Sequence, residues 1–132
     1  MLALSIVAPN GTRIALGRKT LEIRTWQPPH WPLRDLLVIE NRIFLTAEDQ
    51  LDPDGLAVAL VDVADVRPWL PSELAAACAT EWMAERWAWH LSHVRPIRER
   101  MRFPARRKLY HVAADEALVR PDARSVDMSG SK

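Results

Sequence analysis

The stretch LAVALVDVADV, residues 56–66, is the strongest strand signal in the sequence, because it consists largely of aliphatic and β-branched side chains. The turn signal Asp52-Pro53-Asp54-Gly55 precedes it, and Arg67-Pro68 ends it. Shorter strand signals lie on both sides of this stretch, at residues 2–8, 20–26, 35–40, 87–94 and 108–113. Strands are therefore predicted to dominate the fold.

Two helices are predicted between these strands. Residues 12–17 give one or two helical turns ending at Gly17, and a longer helix begins with Ser72 as its N-cap and runs to about Glu85. Five or six strands with one main helix and one short N-terminal helix predict an α+β fold, a small β-barrel over residues 1–113. Residues 114–132 have no apolar period and are predicted to form a flexible tail.

The composition is that of an ordinary soluble domain. The 132 residues suffice for one modest core, and the formal net charge of +1 does not by itself indicate a nucleic-acid partner. Cys78 is the only cysteine, no stretch reaches the roughly 20 apolar residues of a membrane span, and MLALSIVAP at the N-terminus lacks the basic segment of a secretory signal. We therefore expect a cytoplasmic protein with no disulfide and no membrane contact.

The second strand signal carries several charges within a few residues. Residues 20–26 alternate, so that Leu21 and Ile23 share one face while Glu22 and Arg24 share the other. Lys19 precedes this strand, and together the three charged side chains predict a cluster that faces a ligand, with the two aliphatic residues behind it. The alternative is a solvated strand face with weak ion pairs, worth about 0–1 kcal/mol each.

A second concentration of charge lies at residues 95–108, where seven basic side chains stand against the single acid Glu99. Such a segment is typical of phosphate binding with steep salt dependence. The alternative is a solvated loop whose arginines pair with the acids of residues 48–54. The candidate phosphate contacts are Arg95, Arg98, Arg106 and Arg107.

Six tryptophans are a high number for this length, and most are expected in the core. Trp26, on the face of Glu22 and Arg24, and Trp31 in the following loop are candidates for stacking on an extruded base. The four histidines and the single cysteine have no metal-ligand spacing, and no glycine-rich phosphate loop occurs. Neither a metal nor a cofactor is expected, and Cys78 is predicted to be buried filler.

The pattern I-x-x-G-x-K-T-x-E-x-R at residues 14–24 resembles the opening of ASCH domains, a family related to PUA and EVE folds. The segments GLAVALVDVADVRPW, WAWHLSHVRPI and RRKLYHV resemble the family's later strands, in the family's order. This resemblance implies a PUA-like β-barrel with a cleft beside the first helix and second strand. It also implies single-stranded RNA or a modified nucleoside as the ligand, with Lys19, Glu22 and Arg24 at the site.

The resemblance leaves catalysis open. One branch of the family hydrolyses N4-acetylcytidine, and ribonuclease activity is attributed to another. Lys19 aligns with the lysine of the acetylcytidine branch, but Glu22 stands where that branch has a nucleophilic threonine, and Thr20 points elsewhere. The first alternative to binding is therefore a small hydrolase that uses Lys19, Glu22 and Arg24. The second is a protein-interaction module that presents exposed tryptophans and arginines.

Overall fold

The computed structural model describes residues 1–47 and 49–113, and the predicted tail lies outside this range. These residues form eight strands and two short helices. In order, they are β1 (Leu2–Val7), α1 (Asn10–Ala15), β2 (Leu21–Arg24), β3 (Leu33–Asn41), β4 (Leu51–Asp52), β5 (Leu56–Pro68), a 3-10 turn (Pro71–Glu73), α2 (Leu74–Ala77), β6 (Trp87–Pro96), β7 (Ala105–Arg106) and β8 (Leu109–His111).

Six of the strands form one curled sheet, a half-barrel with the order β2-β6-β5-β3-β1-β8. All pairs are antiparallel except β1 and β3, which run parallel. Strands β4 and β7 form a separate two-stranded ribbon. The expected small α+β, PUA-like barrel is confirmed.

The central strand β5 is buried on both faces, which explains why its sequence does not alternate between apolar and polar residues. Residues 57–61 are all buried, and they contribute to two apolar clusters. Val58 and Val61 belong to the larger cluster with Trp89, whereas Ala57 and Leu60 belong to the other. A strand that is covered on both faces needs apolar residues at every position.

The predicted helix over residues 72–85 is wrong in its extent. After the 3-10 turn, α2 ends at Ala77, because Cys78 adopts the left-handed conformation with φ 54°. The N–H of Ala79 donates to the carbonyl of Leu74 and the N–H of Cys78 to that of Ala75, each at 3.0 Å. This pair of bonds is the Schellman arrangement that terminates a helix, here with cysteine where glycine is usual.

The ribbon of β4 and β7 was not predicted from the sequence, and it rests on Gly55. A Cβ atom at this position would lie 2.5 Å from the carbonyl oxygen of Phe103 and 2.8 Å from a methyl carbon of Ile39. Glycine therefore permits the chain to pass directly under residues 103–105, which places β7 against the end of β1. None of the described helices is long and apolar enough to cross a membrane.

Candidate functional site

The site begins at the turn between α1 and β2. Gly17 has φ 78°, a conformation that costs glycine little, and the N–H groups of Arg18 and Lys19 both return to the carbonyl of Arg13. This turn places Lys19 at the start of β2 with only 6% of the residue exposed. A charged side chain buried to this degree requires partners.

The partners of Lys19 are two oxygens. Its Nζ donates to the main-chain carbonyl of Ala77 at 2.6 Å and lies 3.5 Å from Oε1 of Glu22. The carbonyl of Ala77 is available because α2 ends there and cannot use it within the helix. The early end of α2 therefore contributes directly to holding this lysine.

Glu22 lies between two cations. Its Oε2 accepts a hydrogen bond from Nε of Arg24 at 2.8 Å and lies 2.7 Å from Nη2 of the same guanidinium. This Nη2 also donates to the carbonyl of Ser5 at 2.9 Å. Glu22 itself is 6% exposed. The predicted charged cluster is thus a connected chain from Lys19 through Glu22 to Arg24, and not a solvated strand face.

The apolar backing of this cluster is as predicted. Leu21 is buried with Trp69, Ala77 and Ala88 in a third apolar cluster, against which Ile23 also packs. Because alternate residues of a strand point to opposite faces, this anchoring turns the charged side chains to the other side.

The charged cluster forms part of the wall of a cavity of about 470 Å³. Five basic residues and one carboxylate line it, so its electrostatic potential favours anions and polar acceptors. A cavity of this volume can hold a base-sized group. The lining residues that carry charge, polar groups or aromatic rings are Ser5, Asn10, Lys19, Glu22, Arg24, Trp26, Asn41, Phe44, Trp69, Cys78, Arg106, Arg107 and Lys108.

The basic rim of the cavity comes from β7 and the turn after it. The N–H of Arg106 donates to Oγ of Ser5 at 3.1 Å, and the same Oγ shares a 2.6 Å hydrogen bond with the hydroxyl of Tyr110. Burial raises the pKa of Tyr110, and the bond to Ser5 partly offsets this shift. Ser5 therefore contacts both parts of the site, because its side chain holds the rim residue Arg106 and its main-chain carbonyl holds Arg24.

Trp26 lies at the cavity with other groups already around its ring. Arg24 and Lys108 lie 6.0 and 5.7 Å from the ring centroid, and Trp89 meets it edge to face at 5.0 Å. These distances are at the outer limit of cation–π contact. Lys108 is exposed, so it is the neighbour that a stacked base would displace most easily.

Three of the predicted residues lie away from the cavity lining. Arg95 donates to Asp35 at 2.7 Å and to Asp62 at 2.8 Å, which engages its guanidinium within the fold. Arg98 and Trp31 are exposed. Among the acids of this segment that the structure describes, residues 49–54, the alternative pairing occurs once, between Arg102 and Asp54 at 3.4 Å, where both side chains are largely exposed.

Several cavity residues were missed by sequence reasoning or assigned differently, among them Ser5, Asn41, Phe44 and Cys78. Ser5 and Asn41 lie on the neighbouring parallel strands β1 and β3, and Phe44, 74% exposed, follows β3 in a loop. Cys78, predicted to be buried filler, is half-buried at the cavity wall. No local pattern identifies these residues. The pairing of β1 with β3 brings Ser5 and Asn41 to the cavity, and the early end of α2 beside Lys19 brings Cys78 there. Within residues 1–47 and 49–113, no group of three metal-ligating side chains is close enough to hold an ion.

Comparison with known proteins places the chain at the level of a family. No curated protein sequence matches significantly. The sequence does match the family described as the ASCH domain over residues 4–100, a span from β1 to just beyond β6 that contains Lys19, Glu22 and Arg24. The chain belongs to the ASCH domain family.

Proposed function

We propose that this ASCH domain binds single-stranded RNA or a modified nucleoside in the cavity beside β2. The observation that carries the proposal is the buried chain Lys19–Glu22–Arg24 in the wall of a cavity with a basic rim. An ordinary solvated strand would not bury these charges, because desolvation of each charge costs free energy that only specific partners offset. Membership of the ASCH domain family, a PUA-like RNA-binding family, supports the same class of ligand.

Each part of the cavity takes a role in this proposal. Arg24, with Glu22 fixing its orientation, offers the planar guanidinium that suits a base edge or phosphate. Lys19 adds a positive charge in the wall, and Trp26 with the exposed Phe44 offers aromatic surface for a base. The backbone phosphates contact the rim residues Arg106, Arg107 and Lys108.

Two residues that the sequence predicts to contact phosphate have a different role in this proposal. Arg95 acts inside the fold through Asp35 and Asp62, so we assign it no ligand contact. Arg98 lies outside the cavity lining and can meet only RNA that extends beyond it.

Two observations favour binding over hydrolysis. Both carboxylate oxygens of Glu22 already contact a cation, so Glu22 has a role in the fold that does not require catalysis. Thr20, the nearest hydroxyl in the sequence, is exposed and outside the cavity lining. The hydrolase that uses Lys19 and Glu22 remains the alternative, and it predicts product formation that Lys19→Ala abolishes.

We expect the affinity for RNA to fall steeply with salt, and the rim to carry part of that dependence. Each phosphate contact with a single strand contributes about −0.7 to the slope of log K against log salt. The double variant Arg106→Gln/Arg107→Gln should therefore reduce the slope by about 1.4. The measurement is fluorescence anisotropy of a labelled ten-nucleotide RNA at several salt concentrations.

The matched control is Arg34→Gln/Arg67→Gln, which removes two exposed arginines outside the cavity and outside the arginine-rich segment. This control should leave the slope unchanged, and an equal reduction in both double variants would show that the cavity rim has no special role. Chromatography of the same samples, with N4-acetylcytidine in parallel, tests for product. If the protein shows no RNA binding and forms no product, the proposal is overturned and a protein-interaction module is favoured.

A further inference from the structure

Asn41 carries a buried side-chain acceptor that no group in the described part of the chain uses. The residue ends β3, is 4% exposed and lines the cavity. Its Nδ2 donates to the carbonyl of Ile43, which fixes which end of the amide is the nitrogen. Its Oδ1 is buried and has no hydrogen-bond partner among residues 1–47 and 49–113. Buried polar atoms are nearly always paired, so an unpaired acceptor at a cavity wall indicates a missing donor.

The register of the parallel strands sets how far this acceptor lies from Arg24. Val7 pairs with Asn41, and Ser5, whose carbonyl accepts from Arg24, lies two residues earlier on the same strand. Two residues along a strand and one step to its neighbour separate the backbones of Ser5 and Asn41 by roughly 8 Å. A planar group the size of a nucleobase can therefore contact Asn41 at one end and the basic groups of the cavity at the other.

The free acceptor and the donors of the cavity lie at opposite ends of this span. The oxygens of Glu22 are held by Lys19 and Arg24, so Asn41 Oδ1 is the side-chain amide or carboxylate acceptor left without a partner. The remaining charged groups are donors, from Arg24 to the rim. A complementary ligand has an N–H donor at one end and acceptors at the other.

Nucleobases differ in this respect. Cytosine and adenine carry an exocyclic amino group, a donor, next to a ring nitrogen that accepts. Uracil and hypoxanthine carry a carbonyl oxygen at the same position, which would face the carbonyl oxygen of Asn41. In that pose the acceptor would stay unpaired and repel the base, because the ring N–H of uracil or hypoxanthine lies beside the carbonyl and reaches Asn41 only if the base shifts.

We propose that the cavity selects a nucleobase with an exocyclic amino group, and that Asn41 Oδ1 accepts a hydrogen bond from that group. The proposal rests on the proposed function, since it requires a base in the cavity. Asn41 is then the residue that determines base specificity, and the basic groups supply affinity that does not depend on sequence.

The test uses short RNA probes in which a single base, cytosine, uracil, adenine or hypoxanthine, is flanked by abasic nucleotides. All probes have the same number of phosphates, so differences in affinity report the base alone. We expect wild-type protein to prefer cytosine over uracil and adenine over hypoxanthine by about tenfold or more. Asn41→Leu, which removes the acceptor, should bring each pair to within about twofold.

The outcomes separate this inference from the proposed function. Equal affinity of the wild type for cytosine and uracil overturns the inference and leaves RNA binding intact. Failure to bind any probe overturns the proposed function itself. A preference that persists in Asn41→Leu overturns the assignment to Asn41, and if that variant does not fold, the wild-type comparison still decides whether the cavity selects amino-bearing bases.

Discussion

Replacement of Glu22 by alanine should lower the free energy of unfolding by about 3 kcal/mol, the scale of loss when one partner of a buried ion pair is removed. Among the described residues, Glu22 is the only carboxylate that pairs with Lys19 and Arg24, and both cations are largely buried. Without it, the hydrogen-bond partners left within that part of the chain are the carbonyl of Ala77 for Lys19 and the carbonyl of Ser5 for Arg24. Urea denaturation followed by tryptophan fluorescence measures the change.

The control for this prediction is Glu99→Ala, which removes an exposed carboxylate. Its effect should lie within about 0.5 kcal/mol of zero. If Glu22→Ala were as mild as the control, the charged cluster would be a solvated strand face, and the argument from buried charges to a ligand site would fail.

Replacement of Asp52 by alanine should have the second largest effect, a loss of about 2 kcal/mol at neutral pH. Asp52 is 4% exposed and accepts from the N–H of Arg42 at 2.7 Å and from the N–H of Asp54 at 2.9 Å. It thereby ties the chain just after Asn41 to strand β4, which pairs with the rim strand β7. The variant should therefore also weaken RNA binding.

The pH dependence of stability separates the contribution of the negative charge of Asp52 from that of its side-chain shape. The N–H of Arg42 is the main cause that holds the pKa of Asp52 below its usual value, and burial partly opposes it. A lowered pKa in the folded state means that the carboxylate stabilises the protein above about pH 4. This contribution disappears as the pH falls through the folded-state pKa. In Asp52→Asn the free energy of unfolding should fall less as the pH is lowered below about 4. An unchanged fall below that pH would contradict a stabilising role for the charge of Asp52.

The charged part of the site was predictable from the sequence because it is local. Gly17, Lys19, Glu22 and Arg24 lie within eight residues, and strand alternation alone puts the last two on one face. The central strand β5 was equally clear, because a strand buried on both faces has a continuous apolar sequence.

The remainder depends on contacts between distant parts of the chain. Asn41 reaches the cavity only because β3 pairs parallel with β1, a pairing that no turn or spacing specifies. The end of α2 at Cys78 was hidden because a non-glycine residue takes the left-handed position there. Within the arginine-rich segment, Arg95 and Arg106 look alike in the sequence, yet Asp35 and Asp62 bind the former, while Ser5 places the latter at the cavity.

A crystal structure of the protein with a five-nucleotide RNA that carries one cytosine between abasic positions tests the central claim most directly. The account predicts the base inside the cavity, with its amino group on Asn41 and its phosphates on the rim that contains Arg106 and Arg107. RNA bound elsewhere on the surface, for example along Arg98 and Arg102, with no base in the cavity, would contradict it.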